Sequence, residues 1–196
     1  MNPPIPCNDC YITIVTYAEQ VEWIVLVLRL PTEPSRDRVA VWRELRKGGA
    51  IQLGHGSWAV PAKPVFQACV DRVVELVERG PGDVLVLNAE GARDLSATRL
   101  ETLFGEAREA EWTEFVSDCE KYLAELEREI AKQKFTLAEL DEEEQSLDRL
   151  RRWHRELTMR DVFGVPTAAV AADRLTASEA GLADYAERVY QALSGE

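Results

Sequence analysis

The sequence predicts an α+β fold: a ferredoxin-like β-α-β-β-α-β sheet domain followed by a long antiparallel helical hairpin and a C-terminal helix. Three observations carry this reading. Over residues 22–92, short apolar runs bounded by Pro and Gly alternate with two stretches of helical period. After Gly91 the strand signals stop, and apolar residues step at three to four along residues 97–134 with no Pro and one Gly, Gly105. Finally, 196 residues at 46% hydrophobic content are ample for a core. The expected organisation is an N-terminal extension over 1–21, the sheet domain over 22–92 and the helical region over 93–196.

Residues 1–10 hold three prolines and the pair Cys7 and Cys10, and Tyr11–Tyr17 has strand composition without an evident partner. Trp23–Arg29 is a continuous apolar run of strand length, as expected for a strand inside a sheet. Pro31 and Pro34 end it, Ser35 stands where an N-cap belongs, and Gly48-Gly49 stops the helix. Val39, Trp42 and Leu45 are expected to give that helix its sheet-facing side.

Ala50–Leu53, the turn Gly54-His55-Gly56 and Ser57–Val60 form a hairpin, because glycine supplies the positive φ of a tight turn. A helix follows from Pro64, with Val65, Cys69, Val73, Leu76 and Val77 at helical spacing, and Asp83–Leu87 reads as a last buried strand. Leu100, Leu103, Ala107, Phe115, Cys119, Tyr122, Leu126 and Ile130 share one face of the next helix. An unbroken 38-residue helix would reach about 57 Å, so a break is expected near Gly105. Thr136-Leu-Ala-Glu139 is a capping box that opens a helix through Leu140, Leu147, Leu150 and Leu157. Phe163–Pro166 is a turn, and Ser178–Leu193 a terminal helix.

The net charge is −12, but it is segregated. Residues 29–63 carry Arg29, Arg36, Arg38, Arg43, Arg46, Lys47 and Lys63 against Glu33, Asp37 and Glu44, a net +4, leaving −16 elsewhere. A second basic run, Arg149, Arg151, Arg152, Arg155 and Arg160, follows the acidic stretch ending at Asp148. A uniformly basic nucleic-acid surface is therefore excluded, whereas a local one is not. No apolar run reaches the roughly 18–20 residues that span a bilayer, and no signal peptide is recognisable, so a cytoplasmic protein without membrane contact is expected. Four cysteines do not make a disulfide framework, and Cys69 and Cys119 read as buried small hydrophobes.

A pattern of residues carries a resemblance. Leu30-Pro31, Pro34-Ser35-Arg36, Val39-Ala-Val-Trp-Arg43 and Gly49-Ala50 follow the first strand, with Trp58, Leu147-Asp-Arg-Leu-Arg-Arg-Trp153 and Asp161-Val-Phe-Gly164 further on. Together they resemble the N-terminal region of the chromate-resistance regulator family ChrB, over most of the chain after about residue 22. More distantly they resemble the Cas2-like domain of PaaX-type repressors. The resemblance implies a Cas2-like ferredoxin fold and a regulatory or accessory role in chromate resistance. PaaX-type repressors carry a winged-helix domain that is not recognisable here. Metal-dependent nucleases of Cas2 type need an acidic residue at the end of the first strand, where this sequence has Arg29-Leu30-Pro31. The resemblance implies that full-length members of the ChrB family carry a further C-terminal domain, which is not expected within these 196 residues.

Candidate functional residues follow the charge. Arg29, Ser35, Arg36 and Arg38 would form an anion site at a helix N-terminus, suited to chromate, sulfate or phosphate. With Arg43, Arg46 and Lys47, and with Arg151, Arg152 and Arg155, they would instead meet DNA phosphates. The alternative is that Ser35 only caps and the arginines are solvated or pair with Glu33, Asp37 and Glu44. Cys7 and Cys10 offer two metal ligands where a structural zinc site takes four. Trp42, Trp58 and Trp153 read as packing residues, His154 as a surface histidine whose positive neighbours lower its pKa, and Glu142-Glu143-Glu144 as a solvated face. No nucleophile elbow, phosphate loop or carboxylate pair is present, so a non-enzymatic module without a cofactor is expected. Its expected partners are DNA, chromate or another oxyanion, and a second copy meeting it through a sheet face or the helical hairpin.

Overall fold

The computed structural model describes residues 21–33, 35–91 and 93–195, and the Asp94 side chain is not among them. The Cys7 and Cys10 pair and the Tyr11–Tyr17 stretch lie outside the described residues. The elements run β1 (Trp23–Arg29), α1 (Ser35–Lys47), β2 (Ile51–Gly54), β3 (Ser57–Pro61), α2 (Pro64–Glu78), β4 (Asp83–Ala89), α3 (Asp94–Ala131), α4 (Leu137–Arg160) and α5 (Thr167–Ser194). The four strands form one antiparallel sheet in the order β2-β3-β1-β4. The β-α-β-β-α-β order and the long helices behind it are as predicted.

β1 lies inside the sheet, and Trp23, Ile24 and Leu26 are buried, as its unbroken apolar run requires. α1 turns Val41 and Leu45 inward, four residues apart, while Val39 and Trp42 are exposed at 39% and 50%. The expected Val39-Trp42-Leu45 face is therefore wrong, and so is the packing role expected of Trp42. A constant three-residue step drifts about 60° per turn around a helix of 3.6 residues, so only one end of that row can face the sheet. α2 likewise buries Phe66 and leaves Val65 outside.

β4 also departs from expectation. It is an edge strand rather than a buried one, with Leu85, Val86 and Leu87 exposed. An apolar run has strand character, but whether neighbours cover it is set by its place in the sheet order.

α3 runs unbroken for 38 residues. The expected break at Gly105 does not occur, because the helix is held by two cores. Leu100, Leu103, Phe104 and Ala107 pack with the sheet, and Trp112, Phe115, Cys119, Tyr122 and Leu126 pack with α4 and α5. An interior Gly costs about 1 kcal/mol relative to Ala. Burying Phe104 alone is worth about 3–5 kcal/mol by the usual cost of its truncation, so packing wins.

The helical hairpin of α3 and α4 is completed by α5 into a three-helix bundle. α5 begins at Thr167, not Ser178, and Ser178 is buried in mid-helix with its hydroxyl donating to the Arg174 carbonyl. The Thr136 cap forms as expected, its Oγ1 accepting from the Glu139 amide at 3.3 Å, and Leu140, Leu147, Leu150 and Leu157 are buried. Among the described residues, no helix is long and apolar enough to cross a membrane.

Candidate basic cleft

The end of β1, one side of α1 and the β2–β3 hairpin border a cleft of about 410 Å³. Its floor is Leu28, Val41 and Leu45, and its polar groups are Arg29, Arg38, Gln52 and His55, with Trp42 at the rim. Among the described residues no carboxylate lines it, in a chain of net charge −12.

Local backbone chemistry places these groups. The Leu28 amide donates to the Gly56 carbonyl at 2.7 Å, which folds the hairpin tip onto the end of β1. Gly56 has φ +74°, and a Cβ there would lie 2.5 Å from the Leu28 carbonyl oxygen. Only glycine fits, and it sets the adjacent His55 at the cleft mouth. Arg38 donates to the Thr32 carbonyl at 3.1 Å, fixing the loop between β1 and α1. The Arg46 guanidinium lies 5.6 Å from the Trp42 ring centroid. Arg38, Trp42 and Arg46 stand four residues apart and so form one stripe along α1.

The residues expected to form an anion site divide. Arg29 and Arg38 share the cleft, whereas Ser35 is the first residue of α1 and, like Arg36, does not line it. Arg36 is 86% exposed and sits 3.4 Å from Asp37. Arg43 and Lys47 are exposed.

The C-terminal end of α1 is gripped by the helical bundle. Arg108 is buried and donates to the Gly49 carbonyl at 2.8 Å and to Glu111 at 3.0 Å, with its guanidinium 4.6 Å from the Phe104 ring centroid. Arg160 donates to Glu111 at 3.1 Å and to the Lys47 carbonyl at 2.7 Å. Two carbonyls at the end of the helix, which its own turns leave unpaired, thus receive arginines from α3 and α4. Burial lowers the Arg108 pKa from its ordinary value, opposed by the Glu111 charge. Next to it the Trp112 indole donates to Asp161 at 2.9 Å, and Asp161 also accepts from the Gly164 and Val165 amides.

A family model described as Protein ChrB, N-terminal, matches residues 38–196, from within α1 to the end of the chain. The chain belongs to the ChrB N-terminal family. Protein ChrB of Cupriavidus metallidurans is 28% identical over 107 residues, 54% of this chain and 33% of that protein. The chain thus matches about a third of the length of that relative. No solved structure matches.

In this ChrB N-terminal chain the family match takes in Arg38, Trp42, Arg43, Arg46 and Lys47 and leaves Arg29 before it. The second basic run lies elsewhere: Arg149, Arg151, Arg152 and Arg155 line an open groove on α4 with Gln145 and Asp148. Arg151 is already engaged by Glu179 at 2.8 Å and Asp148 at 3.2 Å, whose hydrogen bonds raise its pKa. Arg160 is the member of that run that reaches α1.

Two expectations are corrected. His154 is packed at 5.2 Å from Trp112 and 5.5 Å from Phe115, and burial, not positive neighbours, lowers its pKa. Glu143 is buried beside Tyr122, and burial raises its pKa, whereas a solvated carboxylate was expected. Trp58 and Trp153 do pack, Trp58 in the sheet core and Trp153 against Phe115. Among the described residues, no group of three or more His, Cys, Asp or Glu is placed to hold a metal.

The Arg108–Glu111–Arg160 cluster was missed by sequence reasoning. Its signals were a charged pair, Arg108 and Glu111, one turn apart beside Trp112 on α3, and Gly49, which makes room for it. A Cβ on Gly49 would fall 2.5 Å from Arg108 Nη1.

Proposed function

We propose that this chain is a non-enzymatic regulatory module of chromate resistance whose basic cleft and α1 stripe contact DNA phosphates. The observation that carries the reading is a cleft that no carboxylate lines among the described residues, with Arg38 and Trp42 in its wall and Arg46 one turn further along the same helical face. Phosphates give affinity through Arg, and an exposed Trp offers a stacking surface to unpaired bases. The chromate context comes from the ChrB resemblance, and the acidic remainder of the molecule orients the basic side toward the polyanion.

Fluorescence anisotropy with the chain's own upstream DNA tests this. If Arg29, Arg38 and Arg46 each neutralise one phosphate, affinity falls about 40-fold between about 50 and 200 mM salt. Arg38→Ala and Arg46→Ala should each lower that salt slope by about one contact, and Arg36→Ala should change it less. Absence of binding at low salt overturns the reading.

A second reading rests on Arg29, Arg38 and His55 sharing one cleft, a set that suits a tetrahedral oxyanion. Isothermal titration with chromate and with sulfate tests it, and Arg38→Ala must abolish the heat. In that case chromate acts as the effector, and its addition releases DNA in the anisotropy assay.

A further inference from the structure

We propose that β4 is the pairing edge of a symmetric homodimer, two copies joining antiparallel along Asp83–Ala89 to make one eight-stranded sheet. β4 ends the sheet order, and among the described residues nothing pairs with its outer side. Its seven residues run in unbroken register with β1 and contain no Pro, no Lys and no bulge, the devices by which an edge is normally blocked. β2, at the opposite edge, is protected: it has four residues and a register irregularity between Gln52 and Gly54.

The side chains of β4 leave apolar surface on both faces. Leu85 and Leu87 are 55% and 48% exposed on the side that they share with Val25 and Val27, their register partners in β1. Val86, on the other side, is 43% exposed. Single exposed apolar residues are ordinary, but Leu85 and Leu87 adjoin the exposed Val27 on one face, so the patch continues across two strands, and Val86 adds apolar surface on the other face.

Charge and symmetry select a second copy as the occupant. In a chain of −12, two copies repel over most of their surface, yet Val84–Ala89 carries no charge. A partner strand must also be apolar on both faces. Val84-Leu85-Val86-Leu87 meets this requirement when paired with itself about Val86. Leu85 then faces Leu87 of the partner subunit, and Asp83 faces the partner subunit's Ala89, so no like charges oppose. A dyad normal to the sheet also puts α1 of both copies on the same side of the joint sheet.

Light scattering and sedimentation velocity of the full chain over about 1 to 100 μM test the proposal, the range in which a micromolar association is read. A dimer is expected, and Leu85→Lys with Leu87→Lys should return it to a monomer with unchanged helical circular dichroism. Both side chains already face solvent, so the substitution leaves the monomer core intact. Val86→Cys in a Cys7→Ser, Cys10→Ser background should cross-link on mild oxidation, since directly opposed residues of an antiparallel pair lie within disulfide reach. Leu53→Cys on β2 should not. A monomeric wild type, a lysine variant that stays dimeric, or cross-linking through Leu53→Cys in place of Val86→Cys overturns the proposal. A monomer that dimerises only once residues 1–20 are removed overturns it as well.

Discussion

Replacing Arg108 with Met keeps the buried stem of the side chain and deletes its guanidinium. The Gly49 carbonyl then loses a charge-assisted hydrogen bond of 2.8 Å, a loss of about 1.5–3 kcal/mol. Glu111 keeps Arg160 at 3.1 Å but loses Arg108 at 3.0 Å, and removing one member of a buried pair costs about 3–5 kcal/mol when nothing replaces it. Two features reduce the sum. Arg108 Nε is buried without a partner, so its removal relieves a desolvation cost, and Glu111 is still served by Arg160. A net loss of about 3 kcal/mol is therefore expected, lowering Tm by about 6–12 °C for a chain of this length. Urea unfolding followed by circular dichroism measures it, and a double-mutant cycle with Glu111→Gln should give a coupling of about 1 kcal/mol or more. Arg108→Lys should not restore the stability, because an ammonium cannot span both the Gly49 carbonyl and Glu111 with a planar fork. A loss below about 1 kcal/mol, or full rescue by Lys, would refute the view that this cluster clamps α1 to the bundle.

Other tests address single residues. His154 is held neutral by burial, with its folded pKa below 6.5, so stability present above about pH 6.5 should be lost as pH falls through the folded value. His154→Phe should flatten that part of the stability profile in thermal melts. Burial pushes the Cys69 thiol up to about 11, so native protein should label at Cys69 far more slowly with iodoacetamide than unfolded protein at pH 8. Mass-spectrometric mapping checks this residue by residue. Gly56→Ala should cost about 2 kcal/mol from its left-handed backbone and the clash with Leu28, and should weaken DNA binding by displacing His55. Gly54→Ala, where a Cβ meets nothing within 4 Å, is the control and should leave both unchanged.

Much of the fold could be read because local chemistry decides it. Apolar runs of strand length, the glycines of the hairpin, the Thr136 cap and the Leu140 to Leu157 face are statements about neighbours within a few residues. What could not be read depends on distant parts of the chain. The strand character of Asp83–Leu87 was visible, but its exposure follows from a sheet order that leaves it at the edge. Trp42 reads as core by composition and is exposed because Val41 and Leu45 take the inward positions. Glu143 sits in a solvated-looking acidic run and is buried because it falls on the side of α4 that meets Tyr122 of α3. Of the candidate basic residues, Arg29 and Arg38 share the cleft, but the clamp behind it joins residues 59 and 113 positions apart, which no local pattern encodes.

α3 also determines where this molecule can be divided. A boundary between residues 92 and 93 is the natural place to cut on composition, yet Phe104 from α3 and Phe163 from the turn after α4 both lie against Trp23, at 5.9 and 6.2 Å. Severed there, the sheet would present the bare face of a buried tryptophan to water, and the bundle would expose the phenylalanines that had covered it. The two halves therefore share one stability rather than adding two. A fragment ending at 92 should be recovered as an aggregate, and a fusion partner is better attached past Gly195 than inserted at the seam.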